Sequence, residues 1–243
     1  MRKQMMTLTV VLGATGWLAA CGSRQAEGRE AEDAVPEEMM EGSSPSSNFV
    51  EREFWLALAE EPGWHLNLAH DLYMEGKSLQ ASQELTKVAA ILKFESRHSH
   101  SAREEGLLLG SVEEIKEVAR ELRFEEVPYE GLPNVEELDR VSALTFRSLA
   151  AHQVTLARDA LEAGDARMAG RYITETTKAL EKGFERSEVP MGNVLTEQLH
   201  RAREVASSLE MEGDGSIEQG RLTLGSLDNA VEKLGEVVTA GRK

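Results

Sequence analysis

Residues 135–164 read VEELDRVSALTFRSLAAHQVTLARDALEAG, and the fold follows from how far one periodicity runs through them. Leu138, Val141, Leu149, Leu156 and Ala160 stay on one helical face, and neither Pro nor Gly interrupts the run before Gly164. That is about 29 residues, or roughly 44 Å of helix. Asn134 and Glu137 supply the capping pair at its start. A second helix is expected from Ala166 to about Glu185, with Pro190 closing it. Two helices joined by so short a turn must lie antiparallel.

Upstream, the same pattern recurs. Leu68, Ala69, Leu72 and Tyr73 lead to Gly76, and Ala81, Leu85, Val88, Ala89 and Leu92 mark a partner helix reaching about His98. Displacing the chain by 88 residues lays Leu68 on Leu156, Asp71 on Asp159, Gly76 on Gly164, Ala81 on Ala169, Leu85 on Ile173 and Leu92 on Leu180. Two copies of a helical hairpin, each burying a face against the other, are the expectation. The spacing of Leu68, Ala69, Gly76, Ala81 and Leu85 resembles a tetratricopeptide hairpin, although tandem repeats of that family come every 34 residues or so. Long helices with short turns fit an antiparallel four-helix bundle instead, and the predicted fold class is all-α.

Side helices complete that bundle. Residues 49–60 read as a short amphipathic helix, and Pro62 suits the first turn of the next one. Ser111 and Glu114 match a capping box ahead of Val112, Ile115, Ala119 and Leu122, which places a short helix at residues 111–124. Residues 194–209 carry Leu195, Leu199, Ala202, Ala206 and Leu209 on one stripe. Gly213, Asp214 and Gly215 then loosen the chain. The domain reading is therefore a bundle over residues 49–210, followed at residues 211–243 by a loosely attached segment with a last helix around residues 227–238. Strand signals are nearly absent, with aromatic residues at 5% and no alternating β-branched run.

The first 48 residues have a different composition. Arg2 and Lys3 precede an uncharged run through Val10, Val11, Leu12, Trp17 and Leu18, the layout of a secretory signal that is shorter than a comfortable bilayer crossing. It ends in Leu18-Ala19-Ala20-Cys21, and Cys21 is the only cysteine among 243 residues. These residues resemble the lipobox of bacterial lipoproteins. The resemblance implies cleavage between Ala20 and Cys21, acylation of the Cys21 thiol, and an address in the cell envelope. With no acidic residue at Gly22 or Ser23, it also implies routing to the outer membrane, facing the periplasm. A single cysteine excludes an intramolecular disulfide. Residues 21–48 combine Ser43, Ser44, Pro45, Ser46 and Ser47 with seven acids, and read as a disordered tether with a typical span of roughly 30 Å.

The formal net charge is −16 even with Arg2 and Lys3 counted. Such a surface repels phosphate backbones and anionic lipid, so nucleic acid is not an expected partner, and membrane contact is expected through the anchor alone. Gly-x-Ser-x-Gly, phosphate-cradling and His-Glu-x-x-His motifs are all missing from the sequence, and no catalytic residue is assigned.

Histidine carries what chemical signal there is. His65 and His152 both fall on apolar stripes and are expected to be buried. Glu95-x-x-His98 and Glu197-x-x-His200 are similar to the motif that ferritin-like di-metal carboxylate bundles draw from each of two helices. Glu60 or Glu61 would then complement the first pair, and Glu181 or Glu185 the second, although Glu197 and His200 lie off the stripe of their own helix. Trp55 and Trp64 flank Pro62 and Gly63 and are expected to pack on the end of the bundle. Two functional readings remain. One is a non-catalytic, cofactor-free binding or scaffolding module with a protein partner; the other is a metal- or haem-binding bundle with a redox, storage or sensing role.

Overall fold

The computed structural model describes residues 45–99, 101–124, 135–212 and 216–240, with side chains from residue 60 onward. The expected signal sequence, Cys21 and the expected tether up to residue 44 lie outside the described residues. Seven helices account for nearly all of the rest: α1 (Pro45–Met74), α2 (Ser78–Ser96), α3 (Ala102–Phe124), α4 (Val135–Glu162), α5 (Ala166–Arg186), α6 (Asn193–Glu212) and α7 (Ile217–Ala240). No strand occurs among the described residues. The chain is all-α, and its helices pack as a bundle around one apolar core.

The displaced hairpins end in the same turn. Gly76 and Gly164 both sit at φ +74°, a left-handed conformation that a Cβ would strain. Gly76 N–H donates to the Tyr73 carbonyl at 2.8 Å and Lys77 N–H to Leu72 at 2.9 Å. In the second copy Gly164 N–H donates to Leu161 at 3.2 Å and Asp165 N–H to Ala160 at 2.8 Å. Each turn thus closes the last carbonyls of its helix in a Schellman motif. The second copy adds an N-cap, with the Asp165 carboxylate accepting from Met168 N–H at 3.1 Å.

Four expectations need correction. Helix α1 runs from Pro45 straight through Pro62, so the tether is shorter than composition suggested and the short helix at residues 49–60 is the first half of a longer one. Pro62 cannot donate to the Leu58 carbonyl, but its fixed φ is helical. Burial of Leu66, Ala69 and Tyr73 further along α1 holds the helix together across the missing bond. Helix α3 starts at Ala102, not at Ser111. The box pattern occurs twice, and the earlier one caps: Ser101 Oγ accepts from Glu104 N–H at 3.2 Å. Ser111 instead sits in the helix interior, where its hydroxyl meets that of Ser148 on α4 at 2.8 Å.

The C-terminal segment is not loosely attached, because α7 buries Leu224, Leu227, Ala230, Val231, Leu234 and Val238 and packs on α4, α5 and α6. Nor do the two hairpins face each other as a closed four-helix bundle. Among the described residues the backbone of α2 packs against α1 and α3 and reaches α4 through the Glu95 side chain near His152, whereas α4 packs against α1, α3, α5 and α7. The unit that repeats is three helices long, α1–α3 and then α4–α6, and α1, α4 and α7 lie side by side as its successive first members.

Helix α5 comes closest to another helix's backbone at Gly170, where an added Cβ would lie 2.6 Å from the Ala206 carbonyl oxygen of α6 and 2.8 Å from Glu210 Cγ. A backbone atom cannot swing aside, so Gly170→Ala should destabilise the protein by about 1–3 kcal/mol despite alanine's better helix propensity. A shift in the urea midpoint at unchanged slope measures it.

Candidate functional site

Where α1 leans on the second hairpin it leaves a groove of about 320 Å³, a volume at the lower end of small-ligand sites. Phe146 and Leu149 of α4, with Ala179 of α5, give it an apolar floor, while Glu60, Lys178, Glu181 and Lys182 form a charged rim. At Gly63 α1 runs close over the Phe146 ring, which an added Cβ would meet at 3.4 Å. At the inner end Glu175 is buried and bonded to Lys178 Nζ at 2.6 Å. Burial pushes its carboxyl above the usual range, Lys178 opposes the rise, and the Glu60 carboxyl adds to it. A floor that takes an apolar side chain under a rim carrying both signs of charge suits an amphipathic partner segment better than a single small anion or cation.

His65 and His152 are both buried, each on a carboxylate supplied by another helix. His65 Nδ1 of α1 donates to Glu84 Oε2 of α2 at 2.6 Å, and Glu84 also accepts from Lys87 at 2.8 Å. Burial works against the Glu84 carboxylate, but the Lys87 and His65 bonds outweigh it and hold its pKa below the ordinary value. His152 of α4 is hydrogen-bonded through Nδ1 to Glu104 of α3. Glu95 of α2 lies within electrostatic reach of both. Burial pushes the Glu95 carboxyl up to about 7; His152 opposes that shift and Glu104 reinforces it.

The two Glu-x-x-His pairs do not converge. Glu95 is buried, whereas His98 lies beyond the end of α2 and is exposed, its Nδ1 2.9 Å from the Phe94 carbonyl. Glu197 and His200 are exposed on α6, where Glu197 pairs with Arg201 and His200 lies 3.5 Å from Glu204. Helices α2 and α6 share no contact, so these four residues form no common centre. The proposed complements are occupied elsewhere: Glu61 lies 3.8 Å from His65, Glu181 pairs with Arg203, and Glu185 pairs with Lys182 at 2.7 Å. Among the described residues no group of three or more His, Cys, Asp or Glu side chains is arranged to hold a metal ion. Trp64 is exposed, its ring edge-on to that of His65, and does not pack on the end of the bundle. The Trp55 side chain, Ala20 and Cys21 lie outside the described residues.

Sequence reasoning passed over Glu104 and Glu175. A signal for each was present: Glu104 is four residues before Leu108 and eleven before Ile115, and Glu175 is three after Tyr172 and four before Ala179, so both acids sit on apolar stripes.

No protein-family model matches the chain, and neither does any curated protein or any solved structure.

Proposed function

We propose that the protein is a lipid-anchored, non-catalytic binding or scaffolding module of the bacterial cell envelope, with the groove between α1, α4 and α5 as its partner-binding surface. The groove carries this reading: it is a concave, partly apolar surface of ligand size, built where one repeated hairpin meets the next. The Leu18–Cys21 sequence supports the anchor, and the acidic, Ser-rich residues after it support a spacer between lipid and body. No helix among the described residues is long and apolar enough to cross a membrane. In this reading attachment is through acyl chains, two or three of which hold a protein stably where one does not.

Expression of the full chain in a bacterial host, with a photo-crosslinking residue at Lys182 on the groove rim or at Glu121 on α3, tests both halves. Palmitate-analogue labelling should be lost in Cys21→Ser, which should also leave the membrane fraction. A discrete protein adduct should form from Lys182 and not from Glu121. An unacylated Cys21 with the leader still attached would remove the anchor, and equal crosslinking from the two positions would remove the groove.

A further inference from the structure

We propose that the corner where α2, α3 and α4 meet is a proton-binding site that acts as a latch: a proton held among Glu95, Glu104 and His152 keeps the end of α2 docked, and its loss loosens that corner.

Three helices each bring one titratable side chain to this point. Glu95 is the next-to-last residue of α2, Glu104 sits in the first turn of α3, and His152 is near the middle of α4. Glu95 is 2% exposed and Glu104 4%, and Oε2 of each carboxyl is enclosed without a hydrogen-bond partner. Such orphan acceptors are costly, and a protein keeps them only where something repays the cost. Ionised carboxylates only accept, so an added proton is what turns this cluster of acceptors into one with a donor.

The charges sort themselves by position. Glu104 has His152 as its hydrogen-bond partner and lies in the first turn of α3, at the positive end of that helix. Glu95 has neither, since it lies at the carbonyl end of α2, where a negative charge is opposed by the helix itself. From α3 the ionisable group acting on it is Glu104, which repels it, and from α4 it is His152, which attracts it. Helix α1, on the other flank of α2, brings no ionisable group to bear on it among the described residues. Glu95 is therefore the member that carries the proton.

The proton has a route in. Glu104 lines a cleft of about 130 Å³ between α3, α4 and α7, together with the hydroxyls of Ser101 and Thr155. Two cross-helix ion pairs border it, Arg103 with Glu232 and Arg158 with Asp228. This volume is well above what one water needs, and its lining is polar enough to keep water there. The cleft thus brings solvent up to Glu104, the neighbour of Glu95, without unfolding.

The sign is fixed by which state binds the proton more tightly. In the docked corner Glu95 keeps its proton up to about pH 7, whereas an opened corner returns it to an ordinary glutamate. Docking is therefore fully favoured in acid, weakens as the pH climbs from the ordinary value toward neutrality, and has lost the whole contribution a little above pH 7.

Amide hydrogen exchange on the full-length protein, corrected for intrinsic rates, tests the latch at pH 6 and pH 8. Protection at the end of α2 and in the first turn of α3 should fall about tenfold between the two, while α5 stays unchanged. Glu95→Gln should abolish the fall. Equal protection at both pH values in the wild type, or a tenfold fall that persists in Glu95→Gln, would overturn the proposal. If Glu95→Gln does not fold, the side-chain carboxyl carbon of Glu95 in the wild type decides by NMR, and an ordinary glutamate midpoint there overturns it equally.

Discussion

Glu95→Gln should be more stable than the wild type at pH 8, by a margin about 2–3 kcal/mol larger than at pH 5. The wild-type carboxyl is raised from 4.5 to about 7, chiefly by burial. Over that interval the folded chain holds a proton that the unfolded chain has released, so stability falls as pH rises. Glutamine presents an amide donor in place of the carboxylic O–H and has nothing to release. Much of a protein's net stability is at stake, since whole domains are stable by only about 5–15 kcal/mol. Urea unfolding at a series of pH values, variant against wild type, cancels the general repulsion of an acidic surface and isolates this one group. Parallel stability curves would mean that Glu95 ionises in place without cost.

The second large effect separates the observed packing from a closed four-helix bundle. Ile173→Ala and Leu85→Ala remove equivalent, fully buried side chains from the two copies of the hairpin, and each should cost about 2–5 kcal/mol. They should not cost the same. Helix α5, which carries Ile173, is flanked by α4, α6, α7 and α1, so the space left there cannot collapse. Helix α2, which carries Leu85, has its backbone packed against α1 and α3 alone among the described helices and can settle inward. Ile173→Ala should therefore fall near the upper end of the range and Leu85→Ala near the lower, read from urea midpoints at unchanged slope. Equal losses would place both side chains in like surroundings, as a closed bundle would.

Helices α4, α5 and α6 were legible because nothing conflicts in them: the apolar stripe, the glycine stop and the flanking turn residues agree. The failures came where one local signal has two physical meanings. Pro62 starts a helix in one context and is carried inside one in another, and only the burial of the residues after it decides. Ser111 and Glu114 match a cap, but Ser111 faces a hydroxyl on α4 that belongs to a distant part of the chain. Gly213, Asp214 and Gly215 suggested a loose end with a helix only around residues 227–238, whereas α7 already starts at Ile217 and packs closely, with Gly220 set against Leu161 and Gly235 against Arg147.

The site shows the same division. The periodicity of the stripes was enough to single out His65 and His152, since burial is a property of one helix face. Their partners could not be read, because Glu84 and Glu104 are 19 and 48 residues away, and only the packing brings them together. The Glu-x-x-His pairs failed for the complementary reason: spacing along a chain says nothing about whether two helices ever meet.

On α4, His152 belongs to the proton-holding corner and Gln153 lines the groove under α1. The two are adjacent in sequence and point about 100° apart around a single helix. Any turn of that helix about its long axis carries both side chains with it, so the wall of the groove and the buried corner share one moving part.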